Sequence, residues 1–417
     1  MFIQPGRRFV PAVALALACG IAAAGEPTTA LPPHLLLDLP AAIALAAERH
    51  PALRAAAHEV DASAATVEQA GRLPNPELAY VREGHRAGSR TTTVQVNQPL
   101  ELGGKRQARI AVAEGALALA GSDAALRRQA LRADVIDAFY TTLVAQERYR
   151  LARATLDVAG KSLGAVTGRV AAGKVSPVEA SKARAAQADA RIELERANAE
   201  LAIARNALGA LLGEPLEGRE LAGGTAAALP PVEPLSALLQ RAGGAPAVRR
   251  ARQQVTLRQA QADAERAARI PDVTLTLGSQ RDDQLAHRQA VVGIAVPIPL
   301  FDRNTGNLAA ARARADGARA ELQQAELAAS TGITAAHLRY AQARGEALLL
   351  EQDVVPEARS VHELTLKGFE YGKFTFLDVL DAQRTWFQAR SRQWQALLEA
   401  WRAHADIERL AGPTGQD

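Results

Sequence analysis

The second half of this chain restates landmarks of its first half about 195 to 200 residues later and in the same order, which predicts one structural unit built twice. His50-Pro51-Ala52-Leu53-Arg54 recurs as Ala245-Pro246-Ala247-Val248-Arg249, and Arg72-Leu73-Pro74-Asn75 as Arg269-Ile270-Pro271-Asp272. Pro99-Leu100 answers to Pro299-Leu300, Gly173-Lys174-Val175 to Gly372-Lys373-Phe374, and Leu211-Leu212-Gly213 to Leu410-Ala411-Gly412. The matches divide the chain into a leader over residues 1–24, a first copy over 25–213, a Gly- and Pro-rich joint over 214–235, and a second copy over 236–417.

Each copy has the same grammar. A helix of about 30 residues (Pro40 to Arg72; Ser236 to Arg269) stops at a proline turn and two short strands follow. Leu78 to Val81 pairs with Thr92 to Asn97 in the first copy, and Val273 to Leu277 with Val291 to Val296 in the second. Val94 and Val96 alternate with Thr93, Gln95 and Asn97, and Val273, Leu275 and Leu277 with Thr274 and Thr276, so each strand has one apolar and one polar face. Long helical runs come next, Lys105 to Ala172 and Gly306 to Tyr371, each about 100 Å if unbroken. Turns at Gly173 and Gly372 send the chain back along helices of about 35 residues. On the last of these, Leu380, Phe387, Trp394 and Trp401 fall seven apart, a period that keeps one face on a neighbour only in a left-handed supercoil.

Composition narrows the class. Aromatic residues make up 4%, so a large aromatic core is excluded. Lys plus Arg (49) nearly balance Asp plus Glu (45) and are interspersed with them, which argues against nucleic-acid binding. After the N-terminus no apolar run reaches the length of a membrane-spanning helix, so a membrane role must use strands. The N-terminus reads as an export signal, with Arg7 and Arg8 before the apolar stretch Phe9 to Ala18. Cleavage after Ala22-Ala23-Ala24 competes with cleavage before Cys19 and lipid attachment there, the flank Ala16-Leu17-Ala18-Cys19-Gly20 being an imperfect lipidation box. Cys19 is the only cysteine, so no intrachain disulfide forms.

Four amphipathic strands cannot close a barrel, and an open edge in lipid leaves backbone groups unpaired, so the barrel must be shared among copies: eight strands from two chains or twelve from three. The most specific stretches are Gln98-Pro99-Leu100-Glu101-Leu102-Gly103-Gly104-Lys105-Arg106, Pro297-Ile298-Pro299-Leu300-Phe301-Asp302-Arg303-Asn304-Thr305-Gly306-Asn307, and Tyr371-Gly372-Lys373-Phe374-Thr375-Phe376-Leu377-Asp378-Val379-Leu380-Asp381-Ala382-Gln383-Arg384. On these the chain resembles the TolC-type outer-membrane factors, in particular the CzcC/CusC branch that serves heavy-metal pumps. The resemblance implies a mostly α fold with a small β part: a trimeric α/β-barrel with four strands and long coiled-coil hairpins per chain. It also implies an outer-membrane channel whose helical part extends into the periplasm. Its partners would be two further copies, a periplasmic adaptor, an inner-membrane resistance-nodulation-division (RND) transporter and outer-membrane lipid. The cargo would be divalent heavy-metal cations; a channel for drugs or other small molecules is the alternative, and a periplasmic coiled-coil adaptor a more distant one. An adaptor would carry one hairpin, whereas this chain has two.

No chemistry competes with that reading. Glu101-Leu102-Gly103-Gly104-Lys105 imitates a phosphate loop, but Pro99 stands where the first glycine belongs and Arg106 where Ser or Thr does, so a strand-to-helix turn is expected. The histidines are scattered, with no pair at ligand spacing and no cysteine partner, so neither metal site nor cofactor is expected. His85 and His287, with Arg86, Arg90, Arg281 and Arg288, are expected in solvated loops between paired strands. Met1 is the only methionine, so no thioether relay for Cu(I) is available. No catalytic set is discernible. The tips Gly173, Lys174, Val175 and Gly372, Lys373, Phe374 match the family's adaptor-docking tips. Asp378 and Asp381, three apart on one helix face, coincide with its periplasmic gate, where crowding among copies would raise carboxylate pKa values. The first copy has Glu179 and Lys182 at the corresponding places.

Overall fold

A computed structural model describes residues 36–84, 90–216, 219–222, 229–283 and 285–412. The export signal, Cys19, His34, His85 and Arg86 lie outside the described residues.

The chain runs β1 (Leu36–Leu37), α1 (Leu39–Arg49), α2 (Pro51–Ala70), β2 (Glu77–Glu83), β3 (Thr91–Leu100), α3 (Lys105–Ala171) and α4 (Pro177–Leu212). It continues with β4 (Glu220–Leu221), α5 (Leu235–Ala242), α6 (Pro246–Ala267), β5 (Val273–Asp282), β6 (His287–Ala295), α7 (Thr305–Leu349), α8 (Val355–Glu370) and α9 (Phe376–Ala411). A π-helical turn, Leu350–Val354, joins α7 to α8.

Three expectations need correction. The opening helix of each half is two helices. Pro51 and Pro246 stand at first-turn positions, and the residues before them, His50 (ψ 124°) and Ala245 (ψ 141°), are extended as proline demands of its predecessor. The long run after β6 is broken by the π turn, because Pro356 has no N–H for the carbonyl four residues earlier. Arg281, Arg288 and His287 belong to strands rather than loops.

The four long strands form one antiparallel sheet in the order β2-β3-β5-β6. Leu78 faces Val96 and Leu277 faces Val292, as the alternation within each strand pair requires; the central β3–β5 pairing, Thr91 to Leu100 against Asp282 to Val273, joins the two halves of the chain. A second, two-residue parallel pair, β1 with β4, is fixed by buried Gln146, whose side chain donates to the Leu221 carbonyl at 3.3 Å and accepts from its N–H at 3.2 Å.

The helices are thick with core only near their middle. In α3, whose 67 residues span about 100 Å, the large buried side chains gather between Leu131 and Val144, packing on Leu37, Leu208, Leu212 and Leu221. Ile333, Tyr340 and Leu397 with Leu229 and Leu238 make the matching cluster beside α7 and α9, and Trp394 and Trp401 touch both clusters. Between that middle and a small cluster behind the tips, alanine supplies much of the buried surface. Ala183, Ala190, Ala197 and Ala204 on α4 are all buried and seven apart, as are Ala382, Ala389, Ala396 and Ala403 on α9. A methyl at every seam position lets backbones approach closely, so the helices pair there with little apolar area.

Candidate functional site

Two places concentrate features that packing alone does not explain: the sheet, and the far end of the hairpins. On the sheet, Leu78, Tyr80, Val94, Val96, Leu277 and Val292 share one face and are exposed. Burial elsewhere in the chain could have used this apolar area; instead it is turned outward as a continuous band, the arrangement an apolar solvent stabilises. The opposite face is polar and internally bonded. The Thr276 hydroxyl donates to Asn97 at 2.8 Å, Gln280 donates to Thr93 at 3.2 Å, and Gln289 donates to Gln280. Both edge strands, β2 and β6, have one side without a partner strand among the described residues.

At the helical end both reversals are the same Schellman turn. Gly173 (φ 66°) donates to the Val170 carbonyl at 2.9 Å and Lys174 to that of Arg169 at 2.9 Å; Gly372 (φ 76°) donates to Phe369 at 3.0 Å and Lys373 to Gly368 at 2.7 Å. A Cβ at either glycine would meet nothing within 4 Å, so left-handed φ and not space requires glycine. Ser176 then caps α4 through the Val178 N–H at 3.3 Å, and Thr375 caps α9. The tips expose Lys174, Lys373, Val178, Tyr371 (81%) and Phe374, whose ring lies against Gly368; Val175 is half-buried.

Behind the tips the two hairpins hold each other. Val166, Ala180 and Ala183 from the first pack with Phe369 and Val379 from the second. Arg169 of α3 crosses over, its guanidinium 4.5 Å from the Phe369 ring centroid and donating to the Phe369 carbonyl at 3.0 Å. Sequence reasoning missed this link because its partners are 200 residues apart.

Asp378 and Asp381 are both exposed on the first turns of α9, with Val379 fully buried between them. They are not equivalent. Asp378 closes a capping box with Thr375: its Oδ2 accepts the Thr375 N–H at 2.7 Å and its hydroxyl at 2.7 Å, and its own N–H donates back to the Thr375 hydroxyl at 3.3 Å. Those bonds, the hydroxyl's first, hold the Asp378 carboxyl below the usual carboxylate range within one copy. Thr375-x-x-Asp378 is a capping-box pattern that was readable in the sequence. Asp381 has no ion pair among the described residues, whereas Glu179 on the first hairpin is bound by Lys182 at 3.0 Å.

The histidines do local work. His50 accepts from the Ala52 N–H at 3.2 Å, His337 bonds the Glu233 carbonyl at 2.9 Å, and His362 stacks on Trp386. Burial pushes Glu408 up, but the bonds from His404 and Arg132 outweigh it and leave its pKa below the usual value. Among the described residues no three of His, Asp and Glu converge as a metal site would require, and no helix is long and apolar enough to cross a membrane. Gly103 and Gly104, both left-handed, turn β3 into α3, with Lys105 reaching Asp272 at 2.8 Å, so the glycine-rich stretch serves the strand-to-helix corner.

Comparison with known proteins agrees with this geometry. The chain is similar to the cobalt-zinc-cadmium resistance protein CzcC of Cupriavidus metallidurans, 42% identical over 90% of both chains. It is 32% identical to the nickel and cobalt resistance protein CnrC of the same organism, over 67% of this chain and 68% of that one. A crystal structure of CusC superposes with a TM-score of 0.75 over 90% of this chain and 92% of the other, at 20% identity, which speaks to fold. The model of the family described as outer membrane efflux protein matches residues 42–214 and 237–413. With an outward apolar sheet, open edges and a long helical body, the chain belongs to the outer membrane efflux protein family.

Proposed function

We propose that this chain is the exit duct of a tripartite RND-type pump that expels divalent heavy-metal cations, and that it performs no chemistry. The observation that carries the cargo class is the 42% identity, over 90% of both chains, to a protein named for cobalt, zinc and cadmium resistance. Three copies would close the barrel: β2 and β6 each need a strand, and an unpaired edge in lipid costs several kcal/mol per backbone group. The apolar face would meet lipid and the Asn97, Thr276 and Gln280 face would line a wet passage.

At the other end, the exposed tips Gly173-Lys174-Val175 and Gly372-Lys373-Phe374 would meet the periplasmic adaptor, and through it the inner-membrane transporter. Asp378 and Asp381 of three chains would ring the closed mouth and select cations. The capping box supports a division of labour in which Asp378 fixes the start of α9 and Asp381 offers the carboxylate to the passage. The two-copy plan, 25–213 and 236–417 about a joint at 214–235, is read as the origin of the paired hairpins. Residues 1–24 are read as the export signal, with Cys19 the lipidation candidate.

Deleting the gene from its host should sensitise cells to zinc, cobalt or cadmium and leave tolerance of organic drugs unchanged, with the full chain restoring resistance. Sensitisation to drugs alone would assign the duct to small molecules, and solubility of the mature protein without detergent would assign it to the adaptor class.

A further inference from the structure

The apolar face of the sheet ends in a row of arginines. Register places Arg82 of β2 opposite Thr92 of β3, Thr92 opposite Arg281 of β5, and Arg281 opposite Arg288 of β6. All three arginines have the parity of the apolar residues, one pleat beyond Tyr80, Val94 and Ala290, so they continue the outward face. The row lies at the end of the sheet where the chain passes from β2 to β3 and from β5 to β6, remote from the helices. In a protein whose helices extend into the periplasm, this is the outer boundary of the membrane band.

Three observations distinguish the row from ordinary boundary charge. Arg281 and Arg288 are direct register partners, so their Cβ atoms are about 5 Å apart, and like charges so placed destabilise a sheet unless an anion sits between them. Only Arg281 has a carboxylate partner among the described residues, Asp283 at 3.2 Å, and its side chain stays 61% exposed; Arg82 and Arg288 are exposed without one. Glu83 and Asp282, the acids at the same level, have the opposite parity and belong to the polar face. The inner end of the same face, by contrast, carries Gln98, Leu100, Val273, Leu275 and Ile294, none of them charged. The two ends of this face therefore differ in charge, the outer one basic and the inner one neutral.

We propose that Arg82, Arg281 and Arg288 dock the phosphate groups of a diphosphorylated glycolipid in the outer leaflet. Guanidinium forks bind phosphate bidentately. Arg281 and Arg288 form one fork pair, and Arg82, two strands or about 10 Å from Arg281, meets a second phosphate across the sugar backbone. The lipid supplies an anion to Arg288 and Arg82, which have no carboxylate partner among the described residues, and shares the exposed Arg281 with Asp283, while its acyl chains cover Leu78, Tyr80, Val94 and Val292.

The test uses the full-length assembled protein in detergent and native mass spectrometry, with bisphosphorylated lipid A, its monophosphorylated form, a zwitterionic phosphatidylethanolamine and inorganic phosphate as probes. Wild-type protein should retain the bisphosphorylated lipid several-fold better than the monophosphorylated form and ignore inorganic phosphate. R82Q/R281Q/R288Q should lose about tenfold or more of that retention, as loss of charge-assisted bonds implies. The Arg-to-Lys triple variant should fall between. Equal retention of the two phosphorylated forms or of phosphatidylethanolamine, displacement by inorganic phosphate, or an unaffected glutamine variant would each overturn the proposal. Should the glutamine variant fail to assemble, the comparison of lipids on wild-type protein decides alone.

Discussion

Hairpin α3–α4 and hairpin α8–α9 reverse through the same glycine-lysine turn, yet what leads into and out of those turns differs. The first enters along 67 unbroken residues; the second enters through a helix cut by the π turn at Leu350–Val354, next to Pro356. On the way out, the first ties Glu179 to Lys182, whereas the second spends Asp378 on its own cap and leaves Asp381 exposed. The contrast separates two tasks. A turn needs only left-handed glycine and a pair of backbone bonds, so it is the same in both; the helices carry the difference, the second hairpin being the one interrupted by a π turn and the one whose start leaves Asp381 without an ion pair among the described residues.

The largest expected effect breaks the link between them. Arg169→Ala removes a charge-assisted bond and a cation–π contact, together on the order of 2 kcal/mol, enough to shift a closed-to-open balance by about thirtyfold. Bilayer conductance of the reconstituted protein should rise accordingly; an unchanged closed state would mean that the alanine seams hold the tips without Arg169. Next in size, Gly173→Val and Gly372→Val should each cost about 1–2 kcal/mol locally through φ alone, and should abolish efflux while leaving assembly and membrane insertion intact. Efflux at wild-type level in either variant would remove that tip from the docking role.

A smaller effect sharpens the charge asymmetry. Asp378→Asn/Asp381→Asn together should reduce cation selectivity and relieve block by multivalent cations in bilayer recordings. Asp381→Asn alone should do most of this, Asp378→Asn should chiefly fray the start of α9, and Glu179→Gln on the first hairpin should do neither. Equal loss from the two single changes would contradict the division between cap and passage.

The smallest effect is on pH. Burial, opposed by Glu363, holds the His362 imidazole below its ordinary value of 6.5. The unfolded chain then takes up the proton first, so this contribution to stability is complete above that value and is lost as pH falls through the lower folded one. Glu408, also depressed, keeps its contribution until pH falls below the ordinary 4.5. Mild acid should therefore loosen the second hairpin before the middle of the molecule. His362→Phe should flatten the loss in melting temperature as pH falls below 6.5, while the acid limb set by Glu408 remains. An unchanged slope would place the acid sensitivity elsewhere.

What could be read beforehand was whatever local physics decides. Val94 and Val96 alternating with Thr93 and Gln95 announce a two-faced strand, and Gly173 and Gly372 mark turns because left-handed φ excludes most other residues. The splits at Pro51 and Pro246 and the π turn ahead of Pro356 had proline signals that a continuous helical periodicity overrode. The alanine seams, Ala183 to Ala204 and Ala382 to Ala403, carried the same period of seven as the aromatic stripe but were hidden by the abundance of alanine around them. Pairing of β3 with β5, the Gln146 clamp and the Arg169–Phe369 link join residues far apart in the chain, and no local rule ranks such partners.

The sheet has two different ends, β2 and β6, and an even number of alternating strands. In a barrel shared among copies whose helices all leave the same side of the membrane, the β6 edge of one copy would receive the β2 edge of the next, a heterologous joint, because a two-fold pairing of like edges would send the two sets of helices in opposite directions. Because the count is even, every such joint is antiparallel, and copies can be added without breaking the alternation. The strands alone thus place no ceiling on the ring. Closure would have to be imposed by the rest of the chain, which is the long helical body.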